Sequence, residues 1–329
     1  MVLYDSYGRP LLHLRISVTN RCNYACIYCH REGSWFEFKS NKLDELSPKE
    51  LNVVAKAASE LGIRKFKLTG GEPLIREDII EVISAINEVK PLDLAMTTNG
   101  FFLKDLAYAL KDAGLKRVNI SLPSLNREVY RKITGIDGLN RVIEGIKAAI
   151  DADLKPVKLN YLVLKGYNKS EFWNLVSFAR NVGAILQVIE LQPEGLGINL
   201  FNSLYSNLEE LEKQVREKAD KVIYRKHMHN RPQYYVNGAI IEFVRPICNP
   251  EFCMHCTRLR LTSDGKLKIC LFRNDLYVDL KRALKSKSPI EEIKRLIMKA
   301  NSLREPYFKP SETSHLKLWT KLLEYEPMK

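Results

Sequence analysis

The sequence of 329 residues lacks the features that would place it in a membrane or outside the cell. It contains no uninterrupted run of about 18 apolar residues, which a membrane-spanning helix requires. Its first residues, MVLYDSYGRPLLHLRIS, lack the basic start, apolar run and small-residue cleavage site of a secretory signal. We therefore expect a cytoplasmic protein with no membrane partner.

The sequence also lacks a concentrated basic segment, although its formal net charge is +13. A positive balance favours an anionic partner, which could be a nucleic acid, a membrane surface or a phosphorylated small molecule. No block of five or more consecutive lysines and arginines occurs, and no helical pattern interleaves basic with aromatic residues. We therefore expect a small anionic ligand and no nucleic acid.

Six apolar, β-branched runs alternate with helical patterns in the first part of the chain, at residues 12–18, 65–70, 94–98, 117–122, 157–163 and 186–191. Such alternation predicts parallel strands in βα units, either an open doubly wound sheet or a partial barrel. In both folds the ligand lies at the carboxyl ends of the strands.

The local signals that start and end these elements are specific. Ser47-Pro48-Lys49-Glu50 offers a capping box, and the apolar residues after it recur at helical spacing. After about residue 200 we predict a helix at 206–219, hairpins at Asn237-Gly238 and at Ser263-Asp264-Gly265, and helices around 278–300. We therefore divide the chain into a core at 1–200 and a smaller β-containing region at 201–329.

The seven cysteines are clustered, and three of them follow the first predicted strand with the spacing C-x3-C-x2-C. They are Cys22, Cys26 and Cys29. In a reducing compartment such a group indicates metal ligation and not disulfides. A zinc ion with His30 as the fourth ligand is one interpretation, and a 4Fe-4S cluster with one open iron is the other.

This group, with the aromatic Tyr28 before its last cysteine, resembles the defining motif of the radical S-adenosylmethionine superfamily. Gly70-Gly71-Glu72-Pro73 resembles the strand-end motif of the same superfamily that receives the methionine amino group. The resemblance implies a 4Fe-4S cluster whose open iron binds S-adenosylmethionine, and a 5'-deoxyadenosyl radical produced from it. It also implies an α/β fold, a partial (βα)6 TIM-type barrel.

A second group of three cysteines, Cys253, Cys256 and Cys270, has the spacing C-x2-C-x13-C. Alone it would fit a zinc ribbon completed by Cys248 or His255. The run from 257 to 272, TRLRLTSDGKLKICLF, resembles one family in the superfamily, the GTP 3',8-cyclases of molybdenum cofactor biosynthesis. That resemblance implies a second 4Fe-4S cluster whose open iron binds the guanine of GTP, and a downstream enzyme that takes the pterin precursor.

The same resemblance implies two sets of binding residues and no catalytic side chain, because the cofactor supplies the reactive species. The set implied for GTP is Arg15, Lys67, Thr97, Lys158, Arg258, Leu259 and Arg260. The set implied for S-adenosylmethionine is Tyr28, Gly71, Ser121 and Gln192.

The sequence departs from the family at four positions. Lys67 and Gln187 stand where many members have arginine, Pro123 replaces a common aspartate, and Gln192 replaces a frequent methionine. The usual Gly-Gly tail is absent, since residues 325–329 read YEPMK. Two alternative functions remain: a peptide-modifying radical enzyme with an auxiliary cluster, and a zinc-stabilised nucleic-acid binder. The electron donor and the oligomeric state, for which a dimer is one option, are left open.

Overall fold

The computed structural model describes residues 2–29, 45–193, 197–247 and 249–306, and within them one sheet contains twelve strands. His30, Glu194, Cys248 and the tail at 325–329 lie outside the described residues. The strands are β1 His13–Ser17, β2 Lys65–Thr69, β3 Asp93–Thr98, β4 Arg117–Ser121, β5 Lys158–Leu162, β6 Ile185–Ile189, β7 Lys221–Arg225, β8 Arg231–Val236, β9 Ala239–Val244, β10 Arg258–Leu261, β11 Lys266–Lys268 and β12 Tyr277–Asp279.

The first six strands pair in chain order, and every pair among them is parallel. They coincide to within two residues with the six apolar runs predicted from the sequence. The sheet is curved into a partial barrel, which confirms the predicted fold class. Because the strands are parallel, their carboxyl ends and the loops that follow them share one rim.

Helices connect the strands and cover the outside of the sheet. They are α1 Pro48–Glu60, α2 Ile79–Asn87, α3 Leu103–Asp112, α4 Arg127–Thr134, α5 Leu139–Asp151, α6 Phe172–Asn181, α7 Gly197–Leu204, α8 Glu209–Glu217, α9 Pro250–Met254, α10 Lys281–Leu284 and α11 Pro289–Ser302. The predicted capping box begins α1, where Ser47 accepts from the Glu50 amide and Glu50 accepts from the Ser47 amide. The apolar side chains of α1 are buried in the hydrophobic core.

The later strands extend both edges of the same sheet. β9 pairs parallel with β6 at one edge, and β10 pairs parallel with β1 at the other edge. Both predicted hairpins are present: Asn237 and Gly238 have φ of 46° and 80° in the β8–β9 turn, and Gly265 has φ of 87° in the β10–β11 turn. The segment between β9 and β10 therefore passes from one edge of the sheet to the opposite edge.

The predicted C-terminal helices begin later in the structure than the sequence analysis placed them. Residues Tyr277–Asp279 form β12, which pairs antiparallel with β11, and the helices begin only at Lys281 and Pro289. A strand of three residues is too short to show a period, so only its partner strand defines it. None of the described helices is long and apolar enough to cross a membrane.

Candidate active site

A cavity of about 380 Å³ lies inside the curve of the sheet, and six cysteines face it. Because side chains alternate between the two faces of a strand, every second residue of a strand points into the barrel. Here those inward residues are polar or charged to an unusual degree, among them His13, Arg15, Lys67, Thr97, Arg117, Asn119, Ser121, Lys158, Asn160, Gln187, Arg258 and Arg260. An interior of this kind is suited to a polar ligand and adds little to the apolar core.

The first cysteine group lies in the loop after β1, and main-chain hydrogen bonds define the shape of that loop. Ala25 donates to the Thr134 carbonyl and Ile27 donates to the Ile133 carbonyl, both at 3.0 Å, so the end of α4 holds the loop. The Cys29 amide donates to the Cys26 carbonyl at 3.1 Å. Burial, followed by the nearby Cys29 and Cys22, raises the pKa of the Cys26 thiol to about 12. Thiolates gathered in this way need a positive partner, which fits an iron cluster.

Two glycines of the second loop are required by the close approach of the first loop. A Cβ on Gly70 would lie 2.2 Å from the Thr19 carbonyl oxygen, and a Cβ on Gly71 would lie 2.0 Å from the Arg21 carbonyl oxygen. The main chains bond across this contact, since Gly71 donates to the Thr19 carbonyl at 2.8 Å. The cysteine loop and the Gly-Gly turn therefore form one unit.

Glu72 extends this unit to the end of β3. Its side chain is 1% exposed and accepts from Thr98 Oγ1 and from the Asn99 amide, each at 2.6 Å. Asn99 Nδ2 in turn donates to Asn23 Oδ1 at 2.7 Å, in the cysteine loop. Burial raises the pKa of Glu72 to about 7. Glu72 and Asn99 together thus join three strand-end loops.

The second cysteine group lies where the chain passes between the two sheet edges. Cys253 is in α9, Cys256 follows it, and Cys270 follows β11. Burial, with Cys256 and Cys253 adding to it and Arg260 opposing it, raises the pKa of Cys270 to about 11. All six grouped cysteines line the same cavity. Two thiolate groups therefore face one ligand space.

Two buried arginines, one before β1 and one after α11, bind the main chain of the second cysteine group. Arg9 donates to the Cys253 carbonyl at 3.0 Å, and Arg304 donates to the Cys256 carbonyl. Asp5 pairs with both guanidinium groups, at 2.7 Å from Arg9 and at 3.2 Å from Arg304. This arrangement fixes the main chain of the cysteine segment without using the thiols.

Each cysteine group has the number of thiols that a cluster with one open iron requires. Within the described parts of the chain, no three His, Cys, Asp or Glu side chains converge as ligands of one metal ion would. Each thiolate of a 4Fe-4S cluster binds a different iron, so three cysteines leave the fourth iron without a protein ligand.

Cations form a row across three neighbouring strands. Arg15 lies directly opposite Arg260 on β10 and directly opposite Lys67 on β2. Burial, followed by the charge of Arg15, lowers the pKa of Lys67 well below its usual range and that of Arg260 to about 9. Like charges side by side on a sheet destabilise the fold unless an anion lies against them. A row of cations that faces a cavity is suited to an anionic ligand.

The structure brings most of the predicted residues together. Tyr28, Gly71, Thr97, Ser121, Lys158, Gln192 and Arg258 line the cavity together with the cation row and the cysteines. Thr97 Oγ1 is buried without a hydrogen-bond partner among the described residues, so its hydroxyl is available to a ligand. Leu259 is the exception: its side chain packs in the core on the outer face of β10. Any contact of Leu259 with a ligand has to come from its main chain.

Several cavity residues were missed in the sequence, and the most informative is His229. It lies in the β7–β8 turn, where its Nδ1 is 2.7 Å from the Phe252 carbonyl and its ring stacks on Phe252 at 3.7 Å. A carbonyl only accepts, so Nδ1 carries the proton and Nε2 keeps a lone pair. Nε2 is buried and has no hydrogen-bond partner among the described residues. Burial holds the pKa of His229 well below its usual range, so the ring is a neutral acceptor.

Other missed residues follow from the same alternation that identified their neighbours. Arg117 and Asn119 precede Ser121 at intervals of two on β4, and Asn160 follows Lys158 on β5. Arg231, like His229, has no such signal, because it enters the cavity from the β7–β8 hairpin.

Two family models match the chain. The model of the Radical SAM superfamily matches residues 16–179, and the model called Molybdenum Cofactor Synthesis C matches residues 184–310. Among solved structures, Streptococcus suis SuiB bound to precursor peptide SuiA aligns with 94% of this chain and 70% of its own, with a TM-score of 0.64 and 16% identity. The structure described as native anSMEcpe with bound AdoMet aligns with 85% and 82%, with a TM-score of 0.53 and 14% identity. These two likenesses concern the fold.

Fold and cysteine groups together define a radical S-adenosylmethionine enzyme. Curated relatives give the finer assignment. The probable GTP 3',8-cyclase of Methanocaldococcus jannaschii is 46% identical over 93% of this chain and 99% of its own length. That of Thermococcus kodakarensis is 47% identical over 94% and 100%. The chain belongs to the GTP 3',8-cyclase family, and with it to the proteins that use 4Fe-4S clusters and S-adenosylmethionine.

Proposed function

We propose that the protein converts GTP to (8S)-3',8-cyclo-7,8-dihydroguanosine 5'-triphosphate in molybdenum cofactor biosynthesis. The observation that carries the proposal is the pair of three-cysteine groups facing one cavity, which a row of cations also lines. When bound, the two clusters and S-adenosylmethionine supply the reductive cleavage and the 5'-deoxyadenosyl radical that abstracts a ribose hydrogen. The protein's own groups bind, orient and shield the two substrates.

The cation row gives the triphosphate its place. A triphosphate carries about four negative charges, and each charge-assisted hydrogen bond from an arginine contributes about 1.5–3 kcal/mol. Arg15, Lys67 and Arg260 provide three adjacent cations. Arg258 precedes Arg260 by two residues on β10, so its side chain also points into the barrel. Thr97 offers a buried hydroxyl on the neighbouring strand. GTP then lies with its phosphates on the row and its base toward Cys253, Cys256 and Cys270.

S-Adenosylmethionine takes the opposite side of the cavity, against the first cysteine group. Tyr28 lies within that loop and Gly71 is in contact with it, whereas Ser121 ends β4 and Gln192 follows β6 on the same rim. We assign these four residues to the cofactor. Gly71 acts through its main chain, because the approach of Arg21 leaves no room for a side chain.

The proposed setting completes the assignment. The protein acts in the cytoplasm, and its product passes to a second enzyme that forms the pterin precursor. Residues 1–200 form the core that binds S-adenosylmethionine, and residues 201–329 carry the second cluster. The runs matched by the two family models, 16–179 and 184–310, lie close to this division.

An anaerobic assay with each nucleoside triphosphate tests the function. Reconstituted protein, S-adenosylmethionine and a reductant are incubated with GTP, ATP, CTP or UTP, and 5'-deoxyadenosine and the cyclised nucleotide are quantified by chromatography. We expect the cyclised product from GTP alone. Iron and acid-labile sulfide of about eight each per chain are expected, as two 4Fe-4S clusters require. Turnover of another nucleotide, or zinc in place of iron, would contradict the proposal.

The affinity for GTP is expected to fall as the pH rises through neutrality, because of Lys158. Burial, opposed by the adjacent Glu242, lowers the pKa of Lys158 to about 7. Below that pH the ammonium group is charged and attracts a phosphate, and above it the charge is lost. From about pH 6 to pH 8.5 we expect GTP to bind about tenfold more weakly, measured by anaerobic calorimetry.

Lys158→Arg is the matched control for this pH dependence, because an arginine stays charged over the whole range. Ionisation of the phosphates themselves affects parent and variant equally, so the comparison removes it. If the two proteins show the same pH dependence, Lys158 does not contact the phosphates.

A further inference from the structure

Three cations surround one buried carboxylate at the edge of the cavity, and two of them, Lys158 and Arg231, are themselves buried. Glu242 is fully buried, and its Oε1 accepts from Lys158 Nζ at 2.6 Å and from Arg225 at 2.7 Å. Arg231 lies 3.6 Å from the other oxygen, Oε2, which has no hydrogen-bond partner among the described residues. One negative charge cannot balance three positive ones. A surplus of positive charge in a desolvated place is costly unless an anion joins it.

Of these cations, Lys158 and Arg231 line the cavity. Arg231 is 6% exposed and is held in a defined orientation, since its Nε donates to the Met228 carbonyl at 3.1 Å. One terminal nitrogen donates to Gln187 Oε1 at 3.4 Å, and the other lies beyond hydrogen-bond distance of Glu242. The second terminal nitrogen therefore pairs with Glu242 by charge alone, and no hydrogen bond from it to a described residue competes with a ligand.

Arg231 and Arg258 line the same cavity, although they belong to opposite sides of the sheet, on β8 and β10. Burial lowers the pKa of Arg231 itself to about 10, so it remains charged at neutral pH. Lys158, with its lower pKa, loses its charge near neutrality, and Arg231 does not.

We propose that Arg231 is a phosphate-binding residue of the substrate site and that it supplies, from the β7–β8 hairpin, the positive charge that Gln187 lacks. The inference rests on the proposed function, since it takes a nucleoside triphosphate as the ligand. The Arg231 guanidinium group donates a hydrogen bond to the Gln187 side chain. An arginine at position 187 would therefore place its positive charge close to where Arg231 places its own. The hairpin thereby becomes part of the substrate site and not only an extension of the sheet.

The test compares GTP with guanosine, which has the same base and ribose and no phosphate. Calorimetry is done anaerobically on reconstituted holoenzyme. Arg231→Gln is expected to weaken GTP binding by about 10- to 100-fold, as the loss of one charge-assisted hydrogen bond predicts, and to leave guanosine binding unchanged. In the double variant Gln187→Arg with Arg231→Gln, we expect at least about tenfold of the lost GTP affinity to return.

Arg225→Gln is the matched control. It also removes a cation that pairs with Glu242, but Arg225 is not among the residues that line the cavity. It is expected to bind GTP like the parent. Equal losses for Arg225→Gln and Arg231→Gln, equal losses for GTP and guanosine, or no recovery in the double variant would overturn the inference.

The parent protein separates failure of this inference from failure of the proposed function. If the parent does not cyclise GTP, the function and the inference fall together. If the parent cyclises GTP and Arg231→Gln binds it as tightly as the parent does, only the inference falls.

Discussion

Cys29→Ala is expected to abolish 5'-deoxyadenosine formation under every condition of substrate and reductant. On the proposed assignment, the variant removes one of the three thiolates that hold the cluster on which cleavage of S-adenosylmethionine depends. The loop itself should keep its shape, because the Cys29 amide still donates to the Cys26 carbonyl and the end of α4 still binds Ala25 and Ile27. Chromatography measures the nucleoside, and iron should fall from about eight to about four atoms per chain.

Cys248→Ala is the control for cysteine loss as such. Cys248 is the one cysteine outside the two groups of three, and we expect its replacement to leave iron content and 5'-deoxyadenosine formation at the parental level. Cleavage of S-adenosylmethionine by Cys29→Ala at the parental rate would show that the first group does not hold the reactive cluster.

The barrel strands were predictable because each is defined by its own residues. Buried parallel strands are short, apolar and β-branched, and all six predicted runs became strands. The start of α1 was equally local, since Ser47 and Glu50 bond within one turn. Turn chemistry likewise placed Asn237 and Gly238, whose positive φ values a hairpin of this type requires.

The closure of the sheet was not predictable from local pattern. That β9 joins β6 and β10 joins β1 depends on pairings between residues far apart in the chain, such as Ile16 with Leu261. The same pairings carry the second cysteine group across the cavity. The sequence indicated two groups of ligands, but only the strand order shows that they face one space.

In the candidate site, too, some residues were predictable from their own strand, and others depend on contacts between distant parts of the chain. Alternation along β10 accounts for Arg258 and Arg260 facing inward, and it also turns the Leu259 side chain outward. His229 and Arg231 had no periodic signal. His229 depends on how the β7–β8 hairpin packs against α9, and Arg231 is oriented by a hydrogen bond within that hairpin. Family resemblance could not supply them either, since it was carried by the motifs around the cysteines.

Cys270→Ala is expected to separate the two halves of the reaction. If Cys253, Cys256 and Cys270 only hold and orient GTP, the variant should still cleave S-adenosylmethionine slowly while losing the cyclised product. The radical would form without a ribose hydrogen placed beside it, and correct placement accounts for much of the rate of such a step. Chromatographic quantitation of 5'-deoxyadenosine and of the cyclised nucleotide measures the two outcomes in one sample.

The structure indicates that Cys270→Ala should leave the first cysteine loop intact, so loss of product alone would not reflect unfolding. Cys270 follows β11 on the side of the cavity that belongs to the second group, and the contacts of the first loop run instead to α4, the Gly-Gly turn and Asn99. Iron content of about four atoms per chain would show that the first cluster survives in Cys270→Ala. In Cys29→Ala the pattern should be reversed, with iron retained at the second group and no cleavage. Product formation by Cys270→Ala at the parental rate would mean that the second cluster is structural, and the assignment of GTP to that side of the cavity would lose its main support.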